Sequence, residues 1–501
     1  MLPGTKSATQ AAPEKAALAR RALLGTIAMS LVNSGRMGLQ LLVLPVLARI
    51  LGPTSFGIVS LAMPFILFAN MLSDGGMGNA LVRLHNPAPE VESTVFWLSV
   101  TVGVALALGI CGLSGPIAFL LHQPGLGPIL MSMSPILVLS SMLSVANARI
   151  CRERRFGLFA IGDLISALLS SAAAILAALH GWGAWSLVLQ QLVLWIAKTA
   201  WILPRSRFRP LLVCRPSVVQ DLLGFGLNNV GANIADFVGK STPAVVIGSG
   251  LGVVAVGHYS MAYQLIRIPD LVLSGPLYLA TFAALTALTG SSGGEAAALS
   301  MRTLRLAVLI LAPLFCGLAL VADLLIEVLL GAKWVGTAPV LAILSGTGFF
   351  ICLYSLLGAV LMGLGRADLQ FRLCALCGGG MFAGAVLGQR WGLNGAAIGV
   401  TVGILIAFPF YMVMLAKQLK VDGRAALAGL ARPLIATGAM AAAVAVVRQR
   451  IEGAEPWLQL IACIATGVVA FAVVLLATSR NQVLDDVRML LPRREPAGTR
   501  S

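Results

Sequence analysis

Fourteen long apolar stretches separated by short polar connections set the pattern of this chain. They lie at 22–48, 55–80, 94–121, 129–148, 157–179, 183–203, 222–248, 253–288, 303–330, 338–364, 370–388, 391–416, 430–447 and 457–478. Coiled as helix, most are long enough to cross a hydrocarbon core of about 30 Å. The tenth to twelfth are the hardest to separate, because glycine-rich connections blur their ends. Where polar residues interrupt an apolar stretch, several recur at helical spacing. Ser30, Asn33, Arg36 and Gln40 share one face of the first, and Asn229, Asn233, Asp236 and Lys240 share one face of the seventh. The pattern predicts an all-α polytopic membrane protein with a cytoplasmic N-tail (1–21), a first lobe of six spans (22–203) and a basic linker (204–221). A second lobe of six spans (222–416), two further spans (430–478) and a C-tail (479–501) follow.

Composition agrees: 58% of residues are hydrophobic and 11% charged, too few charges to cover a water-soluble protein of 501 residues. The chain carries 35 Lys and Arg against 19 Asp and Glu, a net charge of +16. With the N-terminus placed inside, 26 of the 35 cations fall in cytoplasmic segments, five in external ones and four (Arg36, Lys198, Lys240, Arg267) within spans. That asymmetry follows the positive-inside rule and predicts fourteen spans with both termini in the cytoplasm of a bacterial inner membrane. It also accounts for the basic balance without nucleic acid, since no basic stripe with interleaved aromatics appears. The polar, basic first 21 residues contain no apolar run, so no cleaved signal peptide is expected. The eight cysteines form no disulfide framework, and Cys374 and Cys377 lie within a span, where neither a metal nor a redox role is expected.

The two halves match weakly at one register. Leu51 to Ala62 aligns with Leu251 to Ala262 at an offset of 200, with five of twelve positions identical. The same offset takes Asn33, Arg36 and Gln40 to Asn233, Asp236 and Lys240, and Asn70 to Asp270. An ionised group costs about 3 kcal/mol at mid-bilayer, so these polar faces are expected to line a water-accessible space between the halves. Two six-span repeats around a polar cleft predict an alternating-access transporter.

Particular segments then resemble a known family. They are Leu47-Ala-Arg-Ile-Leu-Gly-Pro-Thr-Ser-Phe-Gly57, Gly76 to Arg83, Arg149-x-x-Arg152-x-x-Arg155-Phe156 and Gly181 to Val188. Leu251 to Ala262, Leu330-Gly-Ala-Lys-Trp334 and Gly363-Leu-Gly-Arg366 continue the series. Together, over residues 20–420, they resemble the polysaccharide-transporter family of the MOP flippase superfamily. The resemblance implies a MATE-like fold and the transfer of undecaprenyl-pyrophosphate-linked oligosaccharide from the cytoplasmic to the periplasmic leaflet, for lipopolysaccharide or exopolysaccharide biosynthesis. Polymerase and export proteins of the same pathway become candidate partners, beside membrane lipid. No cofactor is implied beyond H⁺ or Na⁺ coupling.

Such a substrate needs cations for its pyrophosphate and polar walls for its sugars; arginine suits the first because its fork makes two parallel hydrogen bonds. Arg36 leads the candidates, followed by Arg267 and Lys240, with Asn33, Gln40 and Asn233 as polar lining. Cavity arginines on the first and eighth spans are also what the resemblance implies. Structural alternatives stand beside each: Arg36 could pair with Asp236, Arg267 with Asp270 three residues on, and Lys240 with Asp236. Lys198 could snorkel or line the cavity. Asp74, Asp236 and Asp270 are candidates for ion coupling or plain counter-ions. Trp182 and Trp185 read as interface anchors rather than sugar platforms.

Two other functions would leave different marks on the sequence. A multidrug or cation antiporter of the same superfamily would favour twelve spans and an acidic cavity, whereas here intramembrane cations match or outnumber acids. A membrane glycosyltransferase, ligase or polymerase would need a sizeable external catalytic loop. The external loops are short and the four histidines (85, 122, 180, 258) lie far apart, so no catalytic residue is assigned. Gly239-Lys240-Ser241 is not a P-loop, because Ile234 stands where the leading glycine belongs.

Overall fold

A chain in hydrocarbon has no water for its backbone amides and must bond them within its own segments. In the computed structural model that requirement is met by helix throughout the described residues. Backbone is described at 8–74, 78, 81, 87–213, 216–288, 293–419 and 423–490. Side chains are described between 35 and 477 within these, apart from 37, 74, 156, 216–236, 238–240, 276, 293, 419 and 423–430.

Contacts divide the chain into two compact units, Met1–Phe237 with Gly252–Gly257, and Val238–Leu251 with His258–Ser501. The first begins with α1 (Ala8–Asp74), α2 (Pro89–Leu120), α3 (Leu126–Met133) and α4 (Pro135–Arg152). It continues through α5 (Phe156–Leu179) and α6 (Ala184–Arg205) into α7 (Pro216–Pro269), which runs on into the second unit. A π-helical turn at Asp270–Ser274 leads to α8 (Gly275–Ala287), α9 (Gly293–Leu320), α10 (Ala322–Leu329) and α11 (Thr337–Gly363). The chain ends with α12 (Ala367–Gly388), α13 (Gly392–Leu419), α14 (Gly423–Arg450) and α15 (Pro456–Leu490).

Among the described residues eleven helices are long and apolar enough to cross a membrane. Three of them are too long for one crossing: Gly38–Ser73 has 36 residues, Ser241–Ala287 has 47 and Ala367–Gln418 has 52. At 1.5 Å per residue these would run about 55 to 80 Å through a core of about 30 Å. Each reaches into two of the predicted spans, with breaks at Gly52, at Gly252 and at the 3₁₀ turn Gln389–Trp391. Counted twice, they restore the fourteen.

The internal repeat is present in the backbone. Gly52 (φ 76°, ψ 176°) and Gly252 (φ 83°, ψ 176°) adopt the same conformation, one open essentially only to glycine. Just beyond them the chain makes a reciprocal contact within the first unit. A Cβ at Gly57 would stand 1.9 Å from the Val253 carbonyl oxygen, and one at Gly257 would stand 2.1 Å from the Pro53 carbonyl oxygen. Adding 200 to Pro53 and Gly57 gives Val253 and Gly257, so the contact maps onto itself.

The glycines that blur the twelfth span in the sequence form a packing surface. Gly380, Gly384 and Gly388 of α12 face Gly403, Gly399 and Gly395 of α13, backbone against backbone in antiparallel order. Small residues allow this approach, which replaces the hydrophobic drive that lipid cannot supply. The basic linker is shorter than 204–221, because α6 continues to Arg205 and α7 starts at Pro216. Its start folds onto the first unit: Phe208 packs on Phe96 at 5.3 Å between centroids. The Trp97 indole donates to the Leu211 carbonyl at 2.9 Å, and the Leu211 amide donates to Ser93 Oγ at 3.0 Å.

The glycine ladder makes a stability prediction. A Cβ at Gly384 would lie 2.0 Å from the Gly399 carbonyl oxygen, whereas Gly379 on the same helix has nothing within 4 Å. Gly384→Val should destabilise the protein by about 3 kcal/mol or more, as overpacked positions do. Gly379→Val should be nearly neutral; unfolding midpoints of the purified variants in detergent separate the two.

Candidate functional site

The first unit concentrates charge where α5 packs against both α1 and α6. Asp163, on α5, is the centre: its Oδ1 accepts from Lys198 Nζ of α6 at 2.7 Å, and its Oδ2 lies 3.7 Å from Arg36 Nη1 of α1. Side-chain exposures differ sharply, at 15% for Asp163, 19% for Lys198 and 49% for Arg36. The half-buried pair is held further by aromatic rings, with Lys198 Nζ 5.2 Å from the Phe159 centroid and 5.9 Å from that of Trp195.

These distances give the two cations different tasks. At 2.7 Å, Lys198 makes a charge-assisted hydrogen bond and serves as the counter-ion of Asp163. At 3.7 Å, Arg36 gains attraction from the same carboxylate but no hydrogen bond, since N–H donors need about 3.2 Å or less. Its guanidinium therefore keeps donors to offer while facing open space, and the three-group cluster carries one positive charge in excess. An exposed cationic fork over a neutralised, half-buried pair is suited to binding an anion.

The predicted site residues fare differently. Gln40, one turn beyond Arg36 on α1, is exposed. The side chains of Asn33, Asn233, Lys240, Asp74 and Asp236 lie outside the described residues, and so does any pairing of Arg36 or Lys240 with Asp236. In the second unit Arg267 is half-buried in the last turn of α7 and forms no ion pair among the described residues. The pairing with Asp270 that their spacing allowed is not made. Pro269 and the π turn beginning at Asp270 intervene, so the regular i, i+3 geometry does not hold. Lys198 snorkels to no surface; it is occupied by Asp163. Trp182 and Trp185 are exposed, at 56% and 45%.

Asp163 was missed in the sequence. It stands seven residues into its span, where an acid reads as an interfacial residue. The available signal was that both Asp163 and Lys198 sit in adjacent spans toward the same side.

With fold and cluster in hand, the comparisons with known proteins are specific. The sequence pattern of the family described as "Polysaccharide biosynthesis protein" matches residues 46–339, more than half of the chain. The chain belongs to that family. It is 30% identical to the succinoglycan biosynthesis transport protein ExoT of Rhizobium meliloti (strain 1021), over 93% of this chain and 96% of that protein. It is 26% identical to the lipopolysaccharide biosynthesis protein WzxC of Escherichia coli (strain K12), over 74% of this chain and 75% of that one. In fold this polysaccharide biosynthesis protein is similar to the lipid II flippase MurJ in its inward closed conformation, with a TM-score of 0.74. That likeness covers 91% of this chain and all of that one at 12% identity.

The half-buried pair yields a double-mutant test. Asp163→Ala strands the Lys198 ammonium among aromatic rings and should cost about 3 kcal/mol of stability. Adding Lys198→Met removes the stranded charge and should recover most of it. Thermal unfolding of the single and double variants measures the coupling; equal midpoints would mean the pair has no structural weight.

Proposed function

We propose that this protein is a flippase rather than an enzyme, moving undecaprenyl-pyrophosphate-linked oligosaccharide across the bacterial inner membrane by alternating access. Arg36 is the principal pyrophosphate contact, and Arg267 is the corresponding candidate in the second unit. The observation that carries this reading is the Arg36–Asp163–Lys198 cluster: a guanidinium with unused donors beside a carboxylate already neutralised by lysine. The similarity to a succinoglycan transport protein over nearly the whole chain supports it. Lys240, Asn33, Gln40 and Asn233 remain candidate lining residues. Asp74, Asp236 and Asp270, joined now by Asp163, are candidates for H⁺ or Na⁺ coupling. Membrane lipid surrounds the protein, and the pathway's polymerase and export proteins are candidate partners.

Complementation of a deletion strain tests the anion contact. Arg36→Ala should abolish surface polysaccharide at normal membrane levels of protein, and Arg36→Lys should retain part of it, because lysine offers a point charge without the fork. If Arg36 only balanced Asp163, whose other partner is Lys198, the triple variant Arg36→Ala, Asp163→Asn, Lys198→Met would recover export. That recovery would move Arg36 from substrate site to scaffold.

The orientation rests on charge asymmetry, and reporter fusions test it. A reporter after Arg500 should read cytoplasm and one at Gly127 should read periplasm. A periplasmic C-terminal signal would overturn the topology.

A further inference from the structure

A second concentration of ionised side chains lies in the first unit, where the start of α2 and the end of α4 meet the linker. Glu92, Arg149, Arg152, Glu153, Phe208 and Arg209 line a cavity of about 280 Å³ there. Glu92 is buried and pins two guanidiniums: its Oε1 accepts from Arg152 Nη2, and its Oε2 lies 3.7 Å from Arg149 Nη1. Arg149 also donates to the Arg207 carbonyl at 3.2 Å and stands 3.4 Å from Glu153. Arg155 donates to Glu153 at 3.1 Å and to the Arg205 carbonyl at 3.2 Å, while Arg205 itself stacks on Trp201 at 3.6 Å.

The internal accounting leaves donors over. Among the lining residues Arg149, Arg152 and Arg209 stand against Glu92 and Glu153, an excess of one positive charge. Nη1 of Arg152 is enclosed and has no hydrogen-bond partner, and Arg209 makes no ion pair among the described residues. The sealed nitrogen lies out of a ligand's reach, but the pinned, cation-rich cavity beside it is what a compact oxyanion would complete. Immediately beside it the linker turns apolar side chains outward. Leu211, Leu212 and Val213 are 43%, 91% and 38% exposed, although Trp97 and Ser93 fix the Leu211 backbone. Bare aliphatic side chains on an anchored segment next to a cationic pocket are the signature of a lipid–water interface.

We propose that this pocket binds the phosphate of a membrane lipid. The ligand chemistry is a lipid-borne phosphate or diphosphate, from either an anionic phospholipid or a prenyl diphosphate. Glu92 positions Arg149 and Arg152, and Arg209 closes the pocket. From the flippase reading the proposal takes only the placement of this end at the cytoplasmic leaflet.

Binding to the full-length protein in detergent tests it, in an Arg36→Ala background so that the cluster in the spans does not contribute. The probes are short-chain phosphatidylglycerol, short-chain phosphatidylcholine, farnesyl diphosphate and inorganic diphosphate. Phosphatidylglycerol, farnesyl diphosphate or both should bind the parent protein, and Arg209→Glu and Arg152→Gln should each weaken that binding about tenfold or more. Arg450→Glu, a charge reversal elsewhere, should leave it unchanged. Which lipid responds names the source: the prenyl diphosphate marks a loading site, the phospholipid a resident one. Because Arg209 is exposed and unbonded, Arg209→Glu should keep the parent's unfolding midpoint even if Arg152→Gln does not. Unchanged lipid affinity in Arg209→Glu would overturn the proposal, as would phosphatidylcholine or inorganic diphosphate binding as tightly as the anionic lipids. Either result would leave the Arg36 export phenotype, and with it the flippase reading, standing.

Discussion

The hydrocarbon core offers no water to any polar group, and most of this architecture follows from that one fact. Backbone amides close their bonds within helices, and small hydroxyls bond back to the preceding turn, as Ser166 does to the Gly162 carbonyl at 2.7 Å. Helices cannot be driven together by water, so they meet through close backbone approach. A charge that remains in a span must find a counter-charge or a polar opening. Asp163 and Lys198 found each other; Arg36 keeps a half-exposed position beside them.

The same constraint explains what could be read from sequence. Spans and their number were legible, because length and hydropathy are local properties and loop charge provides an independent check. The repeat was legible at Gly52 and Gly252, where a backbone conformation that excludes other residues forces glycine in both halves. The α12–α13 ladder was not: its glycines fall within two predicted spans, but a missing side chain carries no sign of what backbone will fill its place.

At the site, the part that was legible was the part that is expensive. A lone arginine in the first span stands out on composition, and Arg36 lies 3.7 Å from the Asp163 carboxylate. Its neighbour was not predictable from any helical spacing, since Asp163 lies more than a hundred residues away on another helix. Likewise Arg267 and Asp270 have a spacing that suits a pair, and only the local π turn after Pro269 shows why they do not make one. Pairings within one helix follow from arithmetic, but pairings between helices depend on how the helices pack.

The reciprocal contact of Gly57 with Val253 and Gly257 with Pro53 has a bearing on how the two halves could grow apart. What each glycine meets is a carbonyl oxygen, which every residue supplies whatever its side chain. Proline offers it on one side and valine on the other, with the same geometry. A joint made this way fixes only its two glycines and leaves the surrounding letters free, so the halves can drift to weak identity while still fitting. Because both copies sit in one polypeptide, a change in one is not imposed on its twin, as it would be in a dimer of identical subunits. One half was thereby free to place an arginine at position 36 while the other placed an aspartate at 236. Symmetry is kept in the backbone, and asymmetry is written in side chains.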